Sequence, residues 1–190
     1  APQEYGPDDF GCTVPEATNF NPEALFSDGS CIIEETIYEI VNNCGEGMGE
    51  SLECDGEYDL SSNSASECPF YEQTVITTGL IVDFYDITPS GGPFSFTIES
   101  KDHYRIDFVV WPESSEYQDG FDITQSELSH LAEAPFGLYE VEITGELGAY
   151  CNDDELLDIN GEWQVTVEYE NDIIILQEYS NEGDYFSDNY

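Results

Sequence analysis

Residues 93–112 read PFSFTIESKDHYRIDFVVWP. In Phe94-Ser95-Phe96-Thr97-Ile98-Glu99 the even-numbered residues are apolar and the odd ones polar. After a short polar turn, Tyr104, Ile106, Phe108 and Val110 resume the same period. Period two with aromatic and β-branched residues marks half-buried antiparallel strands, here a hairpin. Upstream, Val75 to Ile87 forms a further long strand, bent near Gly79. Downstream, the alternation returns in Tyr139, Val141, Ile143 and again in Trp163, Val165, Val167, Tyr169, which puts Trp163 in the core. Between the two downstream strands and the hairpin, Thr124-Gln125-Ser126-Glu127 has the form of a capping box. Leu128 and Leu131 follow it and Pro135 stops it, which predicts a helix.

Three strands, a helix and two strands are the element order of an OB-fold. The segments TGLIVDFYDI (78–87), PFSFTIES (93–100), YRIDFVVWP (104–112), YEVEITGELGAYCN (139–152) and INGEWQVTVEY (159–169) resemble OB-fold domains. The matching points are the glycine in the first strand and Gly145-Glu146-Leu147 in the fourth. The resemblance implies a mainly β, OB-like five-stranded barrel with one helix over residues 72–170. It implies fold only, since one fold hosts many functions.

The 190 residues hold 2 Lys or Arg against 43 Asp or Glu, a formal charge of −41. At 39% apolar and 14% aromatic residues the chain has the material for a core, unlike a disordered acidic tail. No apolar run reaches the ~18 residues that cross a bilayer, so no membrane insertion is expected. Ala1-Pro2 reads as the start of a chain trimmed by a signal peptidase. Lys101 and Arg105 lie together in the hairpin near where OB-folds take ligands, but the acidic excess excludes nucleic acid as an expected partner. Local pairing with Asp107, Asp102 or Glu99 is the reading preferred for the two cations. Two carboxylates ~7 Å apart repel by roughly 0.6 kcal/mol in water. Over dozens of pairs this rivals the ~5–15 kcal/mol that holds a domain together. Either a salt-solvated acidic coat or bound cations must offset it, and calcium is the cation that suits oxygen ligands.

The six cysteines are Cys12, Cys31, Cys44, Cys54, Cys68 and Cys151. An even count crowded into the first 68 residues points to disulfides and an extracellular setting. No CxxC pair exists and His103 and His130 stand apart, so structural zinc is not expected. Residues 11–71 form a loop-rich, cysteine-stapled region in which Ile33, Ile37, Ile40 and Val41 fit either a short helix or a strand. There is no GxSxG, HExxH, P-loop or dinucleotide fingerprint, and neither histidine adjoins a nucleophile, so no enzyme is expected.

Residues 11–31, GCTVPEATNFNPEALFSDGSC, resemble a cysteine-bounded repeat of secreted aquatic-bacterial proteins of the form GCTDPxAxNYNPxAxxDDGSC. Val14 and Ser27 depart from it. The resemblance implies a Cys12–Cys31 disulfide and a secreted or surface protein. The pairing Cys44–Cys54 with Cys68–Cys151 is then favoured among the three left. Asn19, Asn21 and Asp28 offer oxygens that suit calcium, around a small core of Phe20 and Ala24, or they serve as turn residues that satisfy backbone groups. Asn152, Asp153, Asp154 and Asp158 make a second calcium candidate in the loop before the last barrel strand.

Two arms flank these parts, residues 1–10 and 171–190. In the second, Ile173, Ile174, Ile175 and Leu176 form an apolar strand-like run, with Tyr179, Tyr185 and Tyr190 among acids. Such a strand can add to a neighbour's sheet, and head-to-tail addition makes a filament. The expectation is therefore a secreted, non-enzymatic bacterial filament subunit that self-associates through its arms and is bridged by calcium. A monomeric adhesin or carbohydrate-binding module, with Trp111 as an aromatic platform, is the alternative. A nuclease-associated nucleic-acid module comes third.

Overall fold

A computed structural model describes residues 6, 9–44, 68–112, 120–151 and 161–187. The long strand read around Gly79 is β4 (Thr74–Asp86), which serves two neighbours in succession. Its first half pairs antiparallel with β7 (Tyr139–Cys151) and its second half with β5 (Phe94–Glu99). The handover falls at Leu80, which is opposite both Glu140 and Glu99. Glycine at position 79 suits this bend. A Cβ there would lie 3.1 Å from side-chain atoms of both Ile37 and Ile98 and 3.2 Å from the Glu99 carbonyl.

β6 (Arg105–Val110) completes the hairpin with β5 and runs parallel to β8 (Gly161–Val167), which pairs antiparallel with β7. The circuit β4-β5-β6-β8-β7-β4 is a closed 5-stranded, OB-like barrel, as the strand order and the resemblance to OB-fold domains imply. Closure brings the Thr166 carbonyl so near Gly145 that a Cβ at that position would run into it. The even-numbered face of the hairpin fills the barrel: Phe96 and Phe108 stack at 4.7 Å, and Ile98, Ile106, Val141, Ile143, Val165 and Trp163 are buried around them. Full burial of each such side chain stabilises by about 1.5–3 kcal/mol.

The region before the barrel takes both forms allowed for Ile33 to Val41. β3 (Ile32–Glu34) adds parallel to the start of β4, and α1 (Ile37–Asn43) follows it. Thr36 caps α1 in a reciprocal box with Glu39, and Ile37 and Ile40 are fully buried as α1 packs on β4 and β6. The first cysteine loop is held by a short parallel pair, β1 (Phe10–Gly11) with β2 (Phe26–Ser27), and by the Cys12–Cys31 disulfide.

Two expectations are corrected. Cys44 is bonded to Cys68, not to Cys54, so the staple joins the C-terminal end of α1 to the residues leading into β4. Cys54 lies outside the described residues, as do Asn152, Asp153, Asp154, Asp158 and Tyr190, and the Cys151 side chain is likewise not described. The helix expected from Thr124 is instead two 3-10 turns, Ile123–Gln125 and Ser129–Ala132. Asp122, not Thr124, caps the first by accepting from the Thr124 N–H. Ser126 breaks the continuity: its hydroxyl donates back to the Ile123 carbonyl and accepts from the Leu128 N–H.

The C-terminal segment belongs to the same sheet. β9 (Ile173–Glu178) pairs antiparallel with β7, and α2 (Glu182–Ser187) follows. Leu80, Tyr179 and Tyr185 form a separate buried cluster on the outside of the barrel, with Val82 and Phe186 against it. The arm expected to join subunits is thus folded onto its own chain.

Candidate functional site

The outer surface of β4, β5 and β6 is polar where the inner one is aromatic, because side chains alternate across the pleat. Asp83 lies opposite Thr97, which lies opposite Asp107; one step along, Tyr85 lies opposite Ser95. The Tyr85 hydroxyl donates to Asp83 at 2.8 Å and the Thr97 hydroxyl to Asp107 at 2.6 Å. Burial raises the Asp107 carboxyl above its ordinary range, the Thr97 bond works against this, and the charge of Asp83 adds to it. Tyr85 leaves 56% of its surface in solvent. The face therefore offers carboxylates and hydroxyls that accept hydrogen bonds, beside an exposed ring. Asp83 and Asp107 each interrupt an apolar strand run, which is the signal in the sequence; among 43 acids nothing there marks Asp83, and Asp107 stands only as one of three candidate partners for the two cations.

At the hairpin end of this face, Glu99 is 4% exposed and carries two bonds. Arg105 Nη2 stands 2.6 Å from Oε2, and His103 Nδ1 stands 2.7 Å from Oε1. Two rings of the second helix reach this hairpin. Phe186 stacks on His103 at 4.6 Å, and the Lys101 ammonium sits 5.2 Å from the centre of the Tyr185 ring. Burial pushes the Tyr185 phenol up, and Glu140 adds to it. The local pairing read for Arg105 is thus with Glu99, and Lys101 faces a ring.

The other residues expected at a site are placed as follows. Asn19 donates to the Ser30 carbonyl at 2.5 Å and accepts from the Ile32 N–H at 2.9 Å; Asn21 accepts from the Glu23 N–H, and Asp28 from the Ser30 N–H at 3.0 Å. The Ser30 hydrogen bonds hold Asp28 below the usual carboxylate range. Each oxygen thus serves its own loop, in the manner of turn residues. Among the described residues no group of three or more His, Cys, Asp or Glu comes together as a metal site. The loop's small core is Ala17 with the disulfide; Phe20 is exposed and Ala24 half-buried. Trp111 follows β6 half-buried, and its carbonyl accepts from the Phe121 N–H at 3.1 Å. His130 bonds the Glu127 carbonyl and meets the Tyr139 ring edge-on.

No protein-family model matches the chain, and no curated protein matches it. Among the solved structures that the chain matches is the crystal structure of the S. pombe Stn1-Ten1 complex. The two are 13% identical with a TM-score of 0.27, over 60% of this chain and 62% of that one. The match thus spans less than two thirds of that chain's length.

The expectation of a self-joining filament subunit that takes no nucleic acid is corrected. The chain's own geometry removes the motive for self-joining: Ile173, Ile174 and Ile175 pair with β7, and Tyr179 and Tyr185 are buried against Leu80. Tyr179 further donates its hydroxyl to Glu140 at 2.8 Å.

Proposed function

We propose that the chain is an extracellular, OB-type binding module whose outer β4-β5-β6 face takes a carbohydrate. The observation that carries this reading is the Asp83, Tyr85, Thr97, Asp107 group: two carboxylates held by neighbouring hydroxyls, next to an exposed aromatic ring. Sugars present rows of hydroxyl donors and a flat C–H face. The carboxylates accept the former and a tyrosine ring covers the latter. Two disulfides suit an oxidising compartment. A binding role also suits the histidines, both of which are tied to structural partners.

The test is a glycan array followed by calorimetry on the hit. Tyr85→Ala should weaken binding about tenfold while thermal stability is kept. Trp111→Ala asks whether the platform extends to the end of β6. A second reading, a nucleic-acid module, is favoured by the clustering of Lys101, His103 and Arg105 on one hairpin beside this face. A single-stranded oligonucleotide titrated at low and high salt separates the two. Oligonucleotide binding with a steep salt dependence, and no sugar hit, overturns the carbohydrate reading.

A further inference from the structure

β9 ends the seven-stranded sheet. One of its edges is bonded to β7; no described residue pairs with the other. Ile173 is buried and Ile175 half-buried, while Ile174 and Leu176 on the opposite face are each 48% exposed. Natural edge strands are commonly blunted by lysine, proline or a bulge that twists them away. The β9 sequence IIILQE contains neither residue, and its one irregularity is at Leu176, between the Glu140–Gln177 and Val141–Ile175 pairs, which leaves the edge from Ile173 to Ile175 regular. What surrounds it is acidic: Glu170 and Glu178 are exposed at its two ends, and Glu142 stands opposite Ile174.

Charge decides what can occupy such an edge. A second copy would bring another β9 with its own Glu170 and Glu178, setting acid against acid. The only two Lys or Arg of the chain lie on the β5-β6 hairpin, against Glu99 and Tyr185. We propose that the open edge of β9 receives, by strand addition, an extended segment of another protein with an alternating apolar centre flanked by Lys or Arg. Backbone hydrogen bonds continue the sheet, apolar side chains cover Ile174 and Leu176, and the flanking cations meet Glu170 and Glu178. This surface is separate from the β4-β5-β6 face and needs no sugar.

The probe is a synthetic peptide with a Val-Thr-Val-Thr-Val centre between lysine pairs. It is compared with the same peptide N-methylated at alternate residues and with a glutamate-flanked version. The lysine-flanked probe should bind and shift the amide resonances of residues 173–178. N-methylation, glutamate flanks, or the double substitution Ile174→Lys with Leu176→Lys should each weaken it at least about tenfold. Both substituted residues are exposed, and an unchanged melting curve verifies the fold. Equal binding of the N-methylated probe would reduce the effect to bulk charge and overturn strand addition. Shifts confined to residues outside β9, or a dimer that buries β9 without peptide, overturn it too.

Discussion

The Glu99 carboxylate is 4% exposed, yet the guanidinium that neutralises it, Arg105 at 2.6 Å, is mostly in solvent. The two residues face each other across the β5-β6 hairpin, so the backbone sets their approach. A buried carboxylate that loses its charged partner keeps its desolvation penalty. Arg105→Met should therefore destabilise by about 2 kcal/mol. Glu99→Leu with Arg105→Met should recover most of the loss. Denaturant titration of the three proteins decides this: if the double variant is no more stable than Arg105→Met, the penalty does not come from the orphaned acid.

Tyr185 anchors the second helix in the groove formed by Leu80 and Tyr179, with rings at 5.5 Å and edge-on. Tyr185→Ala should cost about 3 kcal/mol, in the range for emptying an aromatic site. Lys101→Met should cost no more than about 1 kcal/mol, the worth of a partly exposed cation over a ring. Hydrogen exchange should show residues 182–187 opening first in the Tyr185 variant.

The Cys44–Cys68 bond closes a loop of 24 residues and ties α1 to the entry of the barrel. Replacing both cysteines by serine should lower stability by about 3 kcal/mol. Peptide mapping of the unreduced protein checks the connectivity independently, and a Cys44–Cys54 fragment would contradict it.

Glu35 stands just before α1, beside Glu39. Burial first, then the hydrogen bond and charge of Glu39, and then Glu16 push its carboxyl up to about 7 from the ordinary 4.5. Between these values the folded chain binds a proton that the unfolded chain has released. This contribution is fully present below about pH 4.5 and is lost as the pH rises to about 7. Glu35→Gln keeps a hydrogen-bond donor and removes the titration. The melting temperature of the native protein should fall relative to that of Glu35→Gln across this window, and the two curves should run parallel above it.

Asn19 bridges the first cysteine loop with two backbone bonds, to Ser30 and Ile32. Asn19→Ala should destabilise by about 1–3 kcal/mol by leaving those groups unpaired. A loss of this size that is the same with and without calcium identifies the residue as a turn element. A loss seen only with calcium identifies it as a ligand.

Local patterns accounted for the strands because each needs only period two to be read. Phe96 and Phe108, or Val141 and Ile143, announce an inward face without reference to any partner. The capping box at Thr124 misled for the opposite reason. The pattern is local, but Ser126 turned its hydroxyl to its own backbone, and the Glu127 N–H was taken by Glu170 from across the fold at 3.2 Å. The disulfide of Cys44 escaped because spacing says nothing about which thiols the folded chain brings together. The Asp83–Asp107 face escaped because opposite strands, and not sequence neighbours, compose it.

Residues 93–112 by themselves determined a hairpin, and with the strands around them an OB-like barrel, since alternating burial is a property of each strand alone. The tertiary structure decided what the chain's charges and apolar ends do. Whether Lys101 and Arg105 meet a ligand or their own Tyr185 and Glu99 depends on contacts across 84 and 6 residues of chain. Whether Ile173–Glu178 joins a neighbour or its own β7 depends on which edge barrel closure leaves open. Those are outcomes of three-dimensional proximity, which no periodicity along the chain encodes.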